Sequence, residues 1–309
     1  MIILLFLSFL LPVSAQAQEM FQFLTPESPS TSIEVEGIYL PLREAEKGRD
    51  NSSVTNLDLR LQQTVYQSKK DLLAVGAKHE ELSLSGNLLL LKDYYNQQGS
   101  FLFKRQKEVD QFWMTTVSYG TASDRPFKNA RDNTLGANYI QRFNAKWFGV
   151  LNYSNNRSFL NNIPLPGVFY IHEMSREKML ILGFPVIFWK TPLGPSWSFR
   201  YTTFIPWSHQ LQLSYYGLGK VHPYLALVQA PESYFRHDRA EVEDRVFWFE
   251  RRVGAGIEGK VTQKLHFDFF SGMAFDREIF EASDFSGEKE NLVNLENTPF
   301  FSLKLRYTL

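Results

Sequence analysis

The chain has 309 residues, with 33 Lys and Arg against 33 Asp and Glu, a formal net charge of zero and no cysteine. That balance excludes the broad positive field that recruits nucleic acid, and the missing thiols exclude disulfides, thiolate metal sites, a Cys nucleophile and a lipid-anchored N-terminal Cys. A mean hydropathy of -0.26 also excludes a bundle of membrane helices, each of which needs about 20 consecutive apolar residues.

Aromatic residues make up 15% of the chain, including 27 Phe and 14 Tyr. That richness suits a transmembrane β-barrel, whose strands hide apolarity in alternation and whose two interfaces carry aromatic girdles. At the N-terminus, Ile2 to Val13 (IILLFLSFLLPV) is the one long apolar run, and Ala15-Gln16-Ala17 follows it. A short apolar region ending in an A-x-A site reads as a cleaved signal peptide over residues 1–17, although no Lys or Arg precedes it. An uncleaved anchor is disfavoured, because about a dozen apolar residues do not span a bilayer. Residues 18–309 are then one barrel domain, with no repeat or linker dividing them.

Gln18 to Thr31 is a polar lead-in with Pro26 and Pro29. Ser32 to Leu42 sets Ile33, Val35, Gly37 and Tyr39 against Ser32, Glu34, Glu36 and Ile38 as a first strand, and Arg43 to Asp50 is a charged loop. Leu57, Leu59 and Leu61 alternate with Asp58, Arg60 and Gln62 in a second strand. Lys69-Lys70-Asp71 turns into a third, Leu72 to Ser85. Gly86 to Ser100 has no clear period and is left unplaced, a short helix at its apolar run Leu88 to Leu91, plugging or capping the barrel, being one option.

Phe101 to Lys104 with Gln111 to Thr121, then Leu135 to Phe143 with Trp147 to Tyr153, have the spacing of antiparallel hairpins. Asn161 to Phe169 (NNIPLPGVF) is dense in breakers and reads as a loop or a bulged strand start. Glu177 to Lys190 splits at Pro185, and Trp197 to Ile205, Leu211 to Tyr215 and Tyr224 to Gln229 continue the series. Ala230 to Asp244 is a charged connection. In Arg251 to Val261 and Leu265 to Phe275 the alternation is clearest, each near the 9 to 11 residues of a tilted membrane strand. After a polar loop, Glu281 to Asn297, comes the terminal strand Phe301 to Leu309, with Phe301, Leu303, Leu305, Tyr307 and Leu309 opposed to Ser302, Lys304, Arg306 and Thr308. The expected fold is all-β: a single antiparallel up-and-down barrel of about 12 strands, within a range of roughly 10 to 14.

Val117 to Phe127 (VSYGTASDRPF), Leu151 to Tyr170 (LNYSNNRSFLNNIPLPGVFY) and Lys178 to Pro185 (KMLILGFP) resemble segments of an uncharacterised family of bacterial outer-membrane barrels, a domain of unknown function. The Ala-Gln-Ala-Gln end of the leader is similar to those of Bacteroidetes-type bacteria. The resemblance implies an outer-membrane barrel and supplies no activity to carry over.

No constellation in the chain supports catalysis. Ser208 and His209 are neighbours and point to opposite faces of a strand, and there is no His-x-Ser or Gly-x-Ser-x-Gly, so a membrane-embedded lipid hydrolase lacks its nucleophile and base. His79, His172, His222 and His237 read as loop or strand-end residues. The acidic run around His237, Asp238, Glu241, Glu243 and Asp244 is interleaved with Arg236, Arg239 and Arg245 and does not match a calcium loop. Gly254-Ala255-Gly256 lacks the third glycine and the helix of a dinucleotide fingerprint, and small residues that let strands curve explain it. No cofactor or metal is expected, and the sequon at Asn51 carries no weight.

What remains is a set of charges on one strand face. His266 and Asp268 share the polar face of their strand, next to Arg252, Glu258 and Lys260 on the preceding one, and Lys304 and Arg306 join them on the terminal strand. These residues are expected to line the lumen, either selecting solutes or filling the interior as a satisfied network. The function expected first is a passive or weakly selective outer-membrane channel. The second expectation is a structural or interaction barrel of the envelope with a filled lumen. Expected partners are outer-membrane lipid and, through the terminal strand, the barrel-assembly machinery, although the chain ends in Leu309 rather than the usual Phe or Trp.

Overall fold

Alternation of the kind seen in Phe301 to Leu309 commits a segment to the extended state, and sixteen such segments close on one another. The computed structural model describes residues 31–45, 50–85, 90, 92–108, 110–157, 160–175, 177–184, 186–204, 208–229, 231–239 and 241–309. The expected signal peptide, and the lead-in apart from Thr31, lie outside the described residues.

Five long strands come first: β1 (Ser32–Ala45), β2 (Asp50–Gln67), β3 (Asp71–Leu84), β4 (Tyr94–Glu108) and β5 (Gln111–Ser123). Shorter ones follow, β6 (Asn133–Arg142), β7 (Trp147–Ser154), β8 (Leu165–Met174), β9 (Met179–Gly183) and β10 (Val186–Pro192). Next come β11 (Trp197–Phe204), β12 (Ser208–Tyr215), β13 (Val221–Gln229) and the three-residue β14 (Glu232–Tyr234). The wall is completed by β15 (Arg245–Lys260) and β16 (Leu265–Ala282), with the short β17 (Glu290–Leu295) before β18 (Thr298–Thr308). Each ring strand pairs antiparallel with the next, β13 passes directly to β15 and β16 to β18, and β18 closes on β1 from Ser32↔Thr308 to Tyr39↔Phe301. β14 and β17 lie outside this ring, added to the ends of β15 and β16.

The meander is therefore the one expected, but it has 16 ring strands rather than about 12. Three segments depart from the expectation, the first lengthening a strand already counted and the other two adding strands. Tyr94 to Ser100 is polar on both faces and still forms the first half of β4. Leu165 begins β8 directly, because Pro166 sits opposite Leu151 and Gly167 opposite Val150 without breaking the pairing. Met179–Gly183 and Val186–Pro192 are two strands of a hairpin and not one interrupted strand. Of the unplaced run Leu88 to Leu91, for which a short helix was one option, only Leu90 lies among the described residues, where it is fully buried in a turn. No helix among the described residues is long and apolar enough to cross a membrane.

The two ends of the barrel differ. At the end that carries Ser32 and Thr308, the connections are short, from two residues (109–110) to five (216–220). At the other end they reach fifteen, in 230–244 and 283–297. Outside, the wall is apolar: on β18, Phe301, Leu303, Leu305 and Tyr307 are 38–48% exposed while Ser302 between them is 5% exposed. Burying such side chains in water-free surroundings is favourable, and here that surrounding has to be external. Near the short-turn end the outer face changes to aromatic pairs, with ring centroids 5.0 Å apart for Trp147–Tyr170 and Trp197–Tyr215 and 5.1 Å for Phe103–Trp113. Amphipathic rings of this kind prefer a lipid–water boundary.

Candidate functional site

Because side chains on a strand alternate, the residues opposed to the apolar face point inward, and there they line a cavity of about 1130 Å³. The cavity draws lining residues from every ring strand except β9. Arg252, Glu258, Lys260, His266, Asp268, Lys304 and Arg306 all lie on it.

Cross-strand register arranges these charges in two rows. Nearer the short-turn end, Lys260, His266, Arg306, Glu34, Arg60 and Lys78 stand opposite one another across β15, β16, β18, β1, β2 and β3. Two residues further in run Glu258, Asp268, Lys304, Glu36, Asp58 and Glu80. The first row carries one acid and the second one base.

On the β1–β3 side, opposite charges meet. Lys304 Nζ lies 2.7 Å from Glu34 and 3.6 Å from Glu36, Arg60 2.6 Å from Asp58, and Lys78 2.6 Å from Glu80. Charges paired this way offset one another's desolvation and hold the wall rigid. Glu34, Glu36, Asp58, Arg60, Lys78 and Glu80 were not among the residues expected to matter. Their signal was present in the sequence, since each strand places its two charges two positions apart on one face. On the opposite wall the interior is apolar, with Met114, Ile140, Phe148, Phe169 and Ile181 almost fully buried and Phe148 stacked on Phe169 at 4.7 Å.

The connection from β13 to β15, expected as a charged loop, turns inward across the mouth at the long-loop end. Glu232, Ser233 and Tyr234 pair with Trp248, Phe247 and Val246 of β15. The next residue, Phe235, reaches β5 on the far side of the ring: its N–H donates to Ala122 O at 2.7 Å and its carbonyl accepts from Asp124 N at 3.3 Å. The Phe235 ring is held between the guanidinium groups of Arg239 and Arg245, at 4.7 and 5.1 Å. Tyr234, 1% exposed, places its hydroxyl 3.1 Å from Glu80 Oε1 and 2.9 Å from Glu232 Oε2, and its ring lies 5.3 Å from Tyr94. Asn56 Nδ2 donates to Glu232 Oε2 at 3.4 Å. The connection is thus bound to β2, β3, β4 and β5 as well as to β15.

Glu232 belongs to this connection and not to a spanning strand. Burial, and next the neighbouring Glu80 carboxylate, push its pKa well above the ordinary 4.5. A raised acid stabilises the docked state fully below its ordinary value, and that stabilisation is lost as pH rises through the elevated one. The connection is therefore expected to loosen as pH is raised. Tryptic cleavage at Arg236 and Arg239 reads this: the wild-type rate relative to that of Glu232→Gln should climb with pH, because the amide stays neutral throughout. A ratio independent of pH would count against the latch.

Ser208 and His209 face opposite sides of β12, with Ser208 on the cavity and His209 stacked outside on Tyr201 at 5.9 Å, so they form no nucleophile–base pair. No group of three or more His, Asp and Glu suited to a metal ion occurs among the described residues.

No family model matches the chain, and no curated protein matches it. Among solved structures it is similar to an outer membrane channel from Pseudomonas putida F1, at 12% identity over 92% of this chain and 97% of that one with a TM-score of 0.38. It is similar also to the CymD monoaromatic hydrocarbon channel, at 9% identity over 97% of this chain and 94% of that one with a TM-score of 0.45. A third likeness is to the translocator domain of the autotransporter NalP from Neisseria meningitidis, at 8% identity over 95% of this chain and 94% of that one with a TM-score of 0.33.

Proposed function

We propose that the chain is an exported outer-membrane barrel acting as a passive, weakly selective channel, its long-loop mouth narrowed by the connection between β13 and β15. The observation that carries this reading is the cavity of about 1130 Å³, walled on one side by charged residues, inside a ring whose outer face is apolar. A barrel with a charged wall along an internal cavity and an apolar exterior has the layout of a pore. Short turns on one side and long loops on the other suit periplasmic and extracellular ends and support an orientation with Ser32 and Thr308 towards the periplasm. The near-balance of acids and bases on the lumen wall supports weak selectivity.

The inward connection also favours a second reading, a structural barrel of the envelope whose mouth stays shut. Planar-bilayer recording of the purified protein separates the two. Stable ohmic steps are expected for the channel, and a silent protein that still shows heat-modifiable migration on a gel would overturn it in favour of the closed barrel.

A further inference from the structure

We infer that the lumen wall of β15, β16 and β18 holds a binding station for a zwitterionic solute of dipeptide size, its ammonium end on Glu258 and Asp268 and its carboxylate end on Lys260 and Arg306. This deepens the channel reading and rests on it for the route by which the solute arrives.

The argument starts from an imbalance between the two sides of the same charged wall. Across β1, β2 and β3 acids and bases neutralise each other in close pairs. Across β15 and β16 acid faces acid, with Glu258 directly opposite Asp268, and across β15, β16 and β18 the bases Lys260 and Arg306 flank His266 on either side; the one acid–base register is Asp268 opposite Lys304. Like charges in directly opposed positions destabilise a sheet, and exchanging Glu258 with Lys260 would have relieved both rows at once.

These groups also lack partners. Among the described residues the side chains of Glu258, Lys260 and Arg306 make no hydrogen bond or ion pair, and His266 Nδ1 is buried without one. Asp268 accepts a hydrogen bond of 2.6 Å from the Tyr224 hydroxyl, and Lys304, which faces it in register, has its ammonium on Glu34 and Glu36 instead. The bases that could have answered the acids are already engaged, Lys304 by Glu34 and Glu36, Arg60 by Asp58, and Lys78 by Glu80. His222, opposite Glu258, is turned to the carbonyl of Gly219 at 2.9 Å. Local inconsistency of this sort, retained on the wall of an open cavity, is characteristic of a functional position.

The chemistry of the missing partner follows from the spacing. Two residues along a strand separate the rows by about 7 Å. A simple anion would answer the lower row and be repelled by Glu258 and Asp268, and a simple cation would meet the reverse. A solute with both charges answers both rows, and an extended dipeptide sets its termini about 7 Å apart.

Titration calorimetry of the detergent-purified full chain with glycylglycine at low ionic strength tests this without requiring ion passage. Saturable binding is expected, with N-acetylglycine, which lacks the ammonium, and glycylglycinamide, which lacks the carboxylate, each binding about tenfold more weakly or worse. Glu258→Gln with Asp268→Asn should erase the preference over N-acetylglycine. Lys260→Gln with Arg306→Gln should erase the preference over glycylglycinamide, and heat-modifiable migration checks that both variants fold. Absence of saturable glycylglycine binding, equal binding of the three probes, or preferences unchanged in the folded variants would each overturn the station. A barrel silent in bilayers that discriminates the probes keeps the station and loses the channel; one that conducts and ignores glycylglycine does the opposite.

Discussion

Leu303→Arg is expected to remove the barrel from the membrane fraction. Leu303 points outward, is 48% exposed, and lies between Gly37 of β1 and Phe269 of β16, with Phe301 and Leu305 above and below it on the same face. Five positions from the end of β18, it sits within the apolar band and away from the aromatic pairs at the short turns. An Arg on the lipid face of a barrel near the bilayer midplane costs about 2–4 kcal/mol. That cost rivals a large part of a typical domain's stability of roughly 5–15 kcal/mol. Lys304 shows how far one position matters: its ammonium is held by Glu34 at 2.7 Å because it faces the lumen. Lys304→Arg should therefore leave assembly intact. The amount of heat-modifiable protein in membranes measures both variants, and wild-type levels of Leu303→Arg would sink the assignment of this face to lipid.

That outward face was legible in the sequence wherever both faces of a strand differ in chemistry. Phe301 to Leu309, Arg251 to Val261 and Leu265 to Phe275 alternate cleanly, and each is a ring strand with its apolar residues outside. Legibility fails beyond the apolar outer band. The first half of β4 stands beside the β3 segment from Gly76 to Leu82, so it needs no apolar outer face and Tyr94 to Ser100 carries no period. β15 and β16 likewise continue to Arg245 and Ala282, where both faces are buried by neighbouring loops and alternation disappears.

The lumen was half legible for a related reason. His266 with Asp268 and Glu258 with Lys260 were visible because their strands are otherwise regular. Glu34 with Glu36 and Lys78 with Glu80 obey the same i, i+2 rule. They were passed over because Gly37 and Ile38 blur the contrast in β1, and because His79 and Glu81 make the outer face of β3 polar. No sequence rule could have supplied the inward turn of Glu232 to Phe235. A charged loop with Tyr and Phe reads as solvated until the opposite wall is known to present Asn56, Glu80 and Tyr94 to it.

Tyr234→Ala is expected to open the mouth. The wild-type ring is 1% exposed against Tyr94, and its hydroxyl separates the Glu80 and Glu232 carboxylates at 3.1 and 2.9 Å. Truncation removes the packing, worth about 3 kcal/mol for a buried aromatic side chain, and leaves two buried carboxylates facing one another across the gap. The docked connection then keeps its pairing with β15 and the Phe235 backbone bonds to β5 but loses the Tyr234 contacts with β3 and β4. Larger and longer-lived conductance steps follow, or the appearance of steps if the wild type is silent. Tyr234→Phe keeps the ring and deletes only the hydroxyl, a loss of about 1–3 kcal/mol, and should give an intermediate effect. Because the hydroxyl matters most when both carboxylates are charged, the gap between the Phe variant and wild type should widen as pH rises. Conductance of Tyr234→Ala equal to that of wild type, in a protein that still shows heat-modifiable migration, would mean that the connection rests beside the permeation path and does not obstruct it.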